Sequence, residues 1–369
     1  MILGRCNNIV GVAALVVIVG CAQTIAQDAP VPAVTLMGVE QEIREGRFEN
    51  IHGVVVLQEG ETKAEWYFEG PDERRGQPLG TVTFSAETLH DLRSVTKSIV
   101  SVLFGIALAD GAINSIDEAF VSYFPDYADL VTPELSRIRL RDLLSMTSGI
   151  RWDESTYPYT DSRNSETAMD WASDRIRHIL SEPIEVAPGE RFNYSGGDVA
   201  LIAAIIARAT GTPLEEYAKS KLFDPLGITD FEWLKDGAGD PIAASGLRLR
   251  PRDMAKIGQL MLQAGRWDGQ QIVPADWVET STSFRAQIQP DLRCGTQYGY
   301  YWWLGAICDE ASRIPLVRAL GNGGQRIWLL REPEVVIVMT AGLYNRRNQS
   351  VDDAARAILS ALSLPVSRP

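Results

Sequence analysis

The sequence predicts an α+β fold: an antiparallel sheet flanked by helices, built from both chain ends, with an inserted mainly helical domain. Three observations carry this expectation. Runs rich in β-branched and aromatic residues occur just after residue 50 and again from residue 299. The stretch from about 112 to 240 has mostly helical spacing. The last strand-like runs follow one another closely enough to pair antiparallel.

Taken in order, "GVEQEIREGRF" has the spacing of a first helix. "IHGVVVLQEG" and "KAEWYFEG" then read as strands closed by glycine turns. A helix containing Lys97 comes next, in "LHDLRSVTKSIVSVLFGIALADG". "LIAAIIARATG" is the clearest helix of the middle region; it is apolar on nearly every face and ends at Gly211, a C-cap signal. "GYYWWLGAI", "QRIWLLRE" and "EVVIVMTAGLY" are the late strands, with "REPE" as a tight turn between the last two. "SVDDAARAILSALS" closes the chain as an amphipathic helix. These elements place an α/β domain in residues 37–90 and 241–369 and a mainly helical domain in 91–240.

Composition narrows the function. The chain has 369 residues, 45% of them hydrophobic and 22% charged, enough for a full core. Its net charge of −13 makes it a poor partner for nucleic acid or for anionic lipid, which repel it.

The start of the chain reads as an export signal. "MILGRCNN" carries one Arg and no acid, and "IVGVAALVVIVG" is twelve apolar or glycine residues. A spanning helix needs about 20. Residues 1–21 therefore read as a signal peptide. "IVGCA" resembles the bacterial lipoprotein signal, in which Cys21 becomes the lipidated first residue; the alternative is an ordinary cut after Ala26. Residues 22–36 suit a tether. Either way the expected location is the periplasm, free or as a membrane-anchored lipoprotein, and the only membrane link is a lipid on Cys21. Cys294 and Cys308 are the two cysteines of the body, readable as a bridge or as two buried thiols.

Several familiar sites are missing from the sequence: G-x-S-x-G, H-E-x-x-H and the Walker loop. The three histidines, His52, His90 and His178, show no metal-ligand spacing, so no metal site is expected. Ser94 and Lys97 are different. Residues three apart on a helix share a face, so the Lys amine can reach the Ser hydroxyl. A helix start supplies free N–H groups that favour an oxyanion. Burial of Lys97 would lower its pKa and free its amine to act as a base. Six Lys and 24 Ser give about 0.4 chance S-x-x-K matches, so the motif alone is weak.

Further stretches add weight. "RSVTKS", "LRDLLSMTSGIRWDE", "PGERFNYSGGDVALIAAIIARATG", "SGLRLRPRDMAKIGQLML", "YGYYWWLG" and "LGNGGQRIWLL" together resemble the serine hydrolases of the penicillin-recognising superfamily. The likeness is to the class C β-lactamase-like branch, which includes esterases and nylon-oligomer hydrolases, and it runs from about residue 40 onward. It implies that Ser94 is the acylated nucleophile, Lys97 its general base and Tyr194 the proton shuttle. It also implies that the Gln325 backbone N–H, in Asn322-Gly323-Gly324-Gln325, joins that of Ser94 as an oxyanion hole. Read without the resemblance, Tyr194 is better taken as a core aromatic with a satisfied hydroxyl.

Two departures from the β-lactamase pattern stand out. Tyr-x-Asn is replaced by Tyr194-Ser195-Gly196, and the Lys-Thr-Gly type of motif by Asn322-Gly323-Gly324. The second removes the cation that meets a substrate carboxylate, a charge-assisted bond worth about 1.5–3 kcal/mol. The expected function is exported ester or simple-amide hydrolysis, without metal or organic cofactor. The alternatives are a weak β-lactamase or D-Ala-directed peptidase, and a non-catalytic envelope protein that binds cell-wall material. "WDESTYPYTDSRNSE" falls where the family places a loop over the pocket; Tyr157, Tyr159 and Trp171 line the acyl site or belong to a solvated loop.

Overall fold

Strands covered on both faces need apolar side chains at every position, because successive residues point to opposite sides. "VVIVMTA" meets that demand, and in the computed structural model it is a fully buried strand, Val335–Ala341. The structure describes residues 34–288, 294–308, 312–346 and 349–366. The leader, the lipobox Cys21 and nearly all of the tether lie outside the described residues.

The chain begins with α1 (Leu36–Arg44), β1 (Ile51–Gln58), β2 (Glu61–Tyr67), β3 (Glu69–Arg74), β4 (Gln77–Thr83) and the short β5 (His90–Asp91). The middle holds α2 (Val95–Ala109), α3 (Leu140–Leu144), α4 (Ser165–Trp171), α5 (Arg175–Leu180), α6 (Gly196–Thr210) and α7 (Leu214–Ala218). Next come β6 (Glu232–Trp233), β7 (Leu247–Leu249), α8 (Pro251–Leu262), β8 (Arg266–Trp267), β9 (Gln270–Gln271) and α9 (Ala275–Ser281). The chain closes with β10 (Ala286–Gln287), β11 (Gln297–Tyr298), β12 (Trp303–Cys308), β13 (Arg313–Gly321), β14 (Gln325–Leu330), β15 (Val335–Ala341) and α10 (Ser350–Ala361). Thr35 caps α1, its hydroxyl accepting from the Gly38 N–H at 3.1 Å, so the end of the expected tether starts the first helix.

The main sheet has eight strands in the order β10-β11-β12-β13-β14-β15-β1-β2, and β1 pairs with β15 antiparallel. The sheet is thus built from both chain ends, as the sequence predicted. Its two faces bury separate cores. Val55, Ile327, Leu329, Val336 and Val338 pack with the helical side, which includes α2, α6 and α8. Val54, Val56, Trp328, Ile337 and Met339 pack with α1 and α10. Gly258 of α8 lies so close to the sheet that a Cβ there would sit 2.6 Å from Val336. Cys294 and Cys308 form a disulfide, which settles the choice left open by the sequence. Closing a loop of about 15 residues is worth roughly 3 kcal/mol in the chain-entropy account.

Helix α2 carries the residues that matter most here. It is buried on almost every face from Val95 to Ala107. Two of its polar residues near the start are anchored: Ser98 Oγ donates to the Tyr301 carbonyl at 2.6 Å, and Thr96 Oγ1 accepts from the Leu247 N–H at 3.3 Å. The residues around Lys97 in "RSVTKS" therefore have structural duties that hold the helix start in place.

Candidate active site

Ser94 occupies the N-cap of α2 with φ −67° and ψ −6°, and its hydroxyl makes no capping bond. That leaves Oγ available for chemistry. The preceding residue, Arg93, has φ +50°, a left-handed conformation uncommon for a side chain other than Gly. Arg93 is held there by Glu73 at 2.7 Å and by stacking over the Tyr344 ring, 4.7 Å from its centroid. Upstream, β5 pairs with β7, and Leu92 N–H donates to the Leu247 carbonyl at 3.0 Å. Ser94 thus follows a short strand through one sharp turn and opens a buried helix.

Lys97 is one turn further on, 1% exposed. Its Nζ lies 3.3 Å from Ser94 Oγ and donates to the Ala244 carbonyl at 3.0 Å. Glu166 Oε2 stands 3.5 Å away, and the Tyr194 ring centroid 4.9 Å away. Tyr194 also leans on Trp303, ring centroids 5.7 Å apart, in an aromatic group with Phe192 and Tyr298. Helix α6 fixes its backbone: Ser195 caps that helix, accepting from the Asp198 N–H at 3.0 Å. The structure therefore brings Ser94, Lys97 and Tyr194 together.

The electrostatics differ from the sequence expectation. Burial does pull the Lys97 pKa down, but Tyr194, Glu166 and Glu154 together outweigh it and push the pKa up. Lys97 therefore rests as an ammonium. Sequence reasoning missed both acids, because "WDESTYPYTDSRNSE", which contains them, read only as a loop over the pocket whose aromatic residues drew the attention. Glu154 is raised to about 7 by burial and by Glu166. It is held by the Trp152 Nε1–H at 2.5 Å, the Tyr159 hydroxyl at 3.0 Å and the Gly196 N–H. Burial presses Glu166 upward too, but Lys97 and Arg75 win and hold it below its ordinary value. Ser245 Oγ donates to Glu166 Oε1 at 2.7 Å.

These acids give a physical reason for Gly196. A Cβ at that position would lie 2.7 Å from Glu166 Oε2 and 2.9 Å from Glu154 Oε1. The two carboxylates fill the place where an Asn side chain would start.

The "GNGGQ" segment lies alongside. A Cβ on Gly321 would meet the Leu92 carbonyl at 2.4 Å, so this end of β13 abuts the approach to Ser94. Gly323 and Gly324 have φ of +95° and +99°, and a Cβ at 323 would strike Tyr344. Gln325 opens β14, paired with Gly321; its buried side chain bonds Ala341 at both ends, so only its backbone can turn toward a substrate. Asn322 is tied to Asn345 in both directions, each bond 2.8 Å.

A cavity of about 260 Å³ runs beside Ser94, lined among others by Arg75, Arg93, Tyr159, Glu166, Trp171 and Asn322. Of the loop aromatics, Tyr159 and Trp171 line it, while Tyr157 lies under Arg163, 4.2 Å from its centroid. A larger cavity, about 740 Å³, involves Arg313 and Phe284 and holds none of these groups.

Residues 39–363 match the Beta-lactamase family. Among curated proteins, the chain is 26% identical over 301 residues to the 6-aminohexanoate-dimer hydrolase of Paenarthrobacter ureafaciens, covering 77% of this chain and 70% of that one. It is 29% identical over 185 residues to a candidate D-alanyl-D-alanine carboxypeptidase of Escherichia coli (strain K12); that likeness covers 48% of this chain and 41% of the other. Among solved structures, a candidate 6-aminohexanoate-dimer hydrolase from Bacillus anthracis shares the fold with TM-score 0.69, 19% identity and coverage of 88% and 82%. A match over nearly the whole described chain, on a fold with Ser and Lys at the start of a buried helix, places the protein in the Beta-lactamase family, among its class C-like serine hydrolases.

Proposed function

We propose that this protein is an exported serine hydrolase that cleaves an ester or a simple amide through an acyl-enzyme on Ser94. The observation that carries the reading is the approach of Lys97 Nζ to Ser94 Oγ, 3.3 Å, at a helix start with Tyr194 packed against it. In acylation, Ser94 Oγ attacks the substrate carbonyl and its proton enters the Lys97–Tyr194 cluster. Lys97 accepts it once its own proton has moved toward the Glu154/Glu166 pair, whose Glu154 titrates near neutrality. Tyr194 returns a proton to the leaving alkoxide or amine. Water then attacks the ester on Ser94 by the reverse path. The backbone N–H groups of Ser94 and Gln325 stabilise the oxyanion in both halves.

An ester or simple amide fits better than a carboxylate-bearing substrate. Asn322 offers no charge, and the two arginines of the cavity are already paired, Arg93 with Glu73 and Arg75 with Asp170. The relation to a 6-aminohexanoate-dimer hydrolase supports amide cleavage by the same machinery. A non-catalytic wall-binding role has less support, because binding alone requires no Ser, Lys and Tyr in contact. The leader and the disulfide favour an oxidising compartment, so the proposed location is the periplasm, with Cys21 as a lipid anchor.

Turnover of a short-chain p-nitrophenyl ester, a short amide and nitrocefin by the purified protein tests the substrate class. The expected order places the ester far ahead of nitrocefin. Efficient nitrocefin turnover would instead support the β-lactamase reading.

A further inference from the structure

We propose that His52, Asp72 and His90 form a structural site for a transition-metal cation of the zinc class, which ties three strands together just upstream of the nucleophile. The three side chains come from β1, β3 and β5 and are buried, with exposures of 0%, 8% and 1%. Their facing atoms are His52 Nδ1, His90 Nε2 and Asp72 Oδ1. The two nitrogens are 2.9 Å apart, and they lie 3.9 and 3.7 Å from the carboxylate oxygen. A point equidistant from the three atoms is about 2.1 Å from each, the bond length of zinc to imidazole and carboxylate.

The hydrogen bonds around the cluster select the tautomers. Asn50 donates its Nδ2 to the Pro71 carbonyl at 3.0 Å, so its Oδ1 is the atom facing His52 Nε2 at 3.1 Å. An oxygen there requires a proton on Nε2 and leaves Nδ1 bare in a neutral ring. His90 Nδ1 faces the Asp91 carbonyl at 3.0 Å, which places the proton on Nδ1 and leaves Nε2 bare. Two lone pairs and a carboxylate oxygen then converge on one point. Among neutral rings this contact is repulsive, and a cation at the centre resolves it. Imidazoles that ligate a metal characteristically donate their second N–H to a carbonyl or amide oxygen, as both do here.

The backbone is shaped to the same end. The β1–β15 register shifts between Ile51 and Gly53, at His52, and the β3–β4 register shifts between Asp72 and Glu73. Such bulges re-aim side chains. Phe84 stacks on the His52 ring, centroids 4.1 Å apart, and the Tyr344 hydroxyl donates to Asp72 Oδ1 at 3.0 Å. Gly70 and Gly342 leave the space: a Cβ on either would collide with Asn50, at 2.2 and 2.4 Å. His90 is four residues before Ser94, so a metal here would fix the entry to the helix without touching substrate.

The test uses the full chain, stripped with a chelator and dialysed against Zn²⁺ alone, with metal content measured per chain. One equivalent is expected, with a raised Tm. Binding should persist in His178→Ala and weaken more than about tenfold in His90→Gln and Asp72→Asn. Co²⁺ in place of Zn²⁺ should give visible d–d bands without a sulfur-to-cobalt band. The proposal fails if the unaltered chain takes up no Zn²⁺. It fails equally if folded His90→Gln binds as well as the parent, or if the cobalt spectrum shows thiolate ligation by the leader cysteines.

Discussion

Two buried polar clusters lie within a few residues of each other in sequence, and they handle charge in opposite ways. Around Lys97, one ammonium faces two acids, a tyrosine and a carbonyl, so the buried cation has opposite charge beside it inside the protein. Around His52 and His90, the tautomers inferred from their outer hydrogen bonds set acceptors against acceptors, and among the described residues no positive group stands at the centre. The difference teaches that burial alone does not predict behaviour. A cluster balanced by its own charges can pass a proton among its members. A cluster left with converging lone pairs is where the proposed cation would fit.

The largest expected effect comes from breaking the balanced cluster. Lys97→Ala should lower kcat/KM by about 10²–10⁴, the range of a positioned acid–base group, in steady-state assays on an activated ester. A loss below about tenfold would remove Lys97 from the proton path.

Stability then separates the clusters. Glu166→Gln leaves the buried Lys97 ammonium short of its nearest acid and should destabilise the fold by about 3 kcal/mol in urea unfolding. Asp72→Asn in the metal-free chain removes no partner of a buried cation and should cost about 1 kcal/mol. Equal costs would erase the distinction drawn here.

A smaller effect appears in pH dependence. Folding raises Glu154 from 4.5 to about 7, so between those values the folded state holds more protons than the unfolded state. Its contribution to stability is therefore full below pH 4.5 and is lost as pH rises through about 7. Glu154→Gln should flatten the urea midpoint across this window. It should also remove the rise in activity through neutral pH that is expected of the parent as the acid pair gives up its proton.

Much of this arrangement was legible in the sequence, for identifiable reasons. The sheet could be read because β1, β14 and β15 carry continuous or alternating apolar residues that only a covered strand needs. Ser94 and Lys97 could be read because a helix brings residues three apart to one face. Glu154 and Glu166 could not, since both reach Lys97 through tertiary packing of α4 and the loop before it. Together with Tyr194, they reversed the expected direction of the Lys97 pKa. Only Gly196 hinted at them, as a missing side chain whose space something else had to fill. The histidine pair was equally hidden: 38 residues separate His52 from His90, and strand bulges rather than spacing bring them into contact.

The central claim is that Ser94 carries the acyl group, and peptide mapping after covalent labelling tests it most directly. The purified protein would be treated with a fluorophosphonate, digested and examined by mass spectrometry. The account predicts one modified residue, Ser94, in the peptide that also contains Lys97 when cleavage at that lysine is blocked, and no label in a folded Ser94→Ala variant. Modification of another serine, or undiminished labelling and turnover in Ser94→Ala, would contradict it.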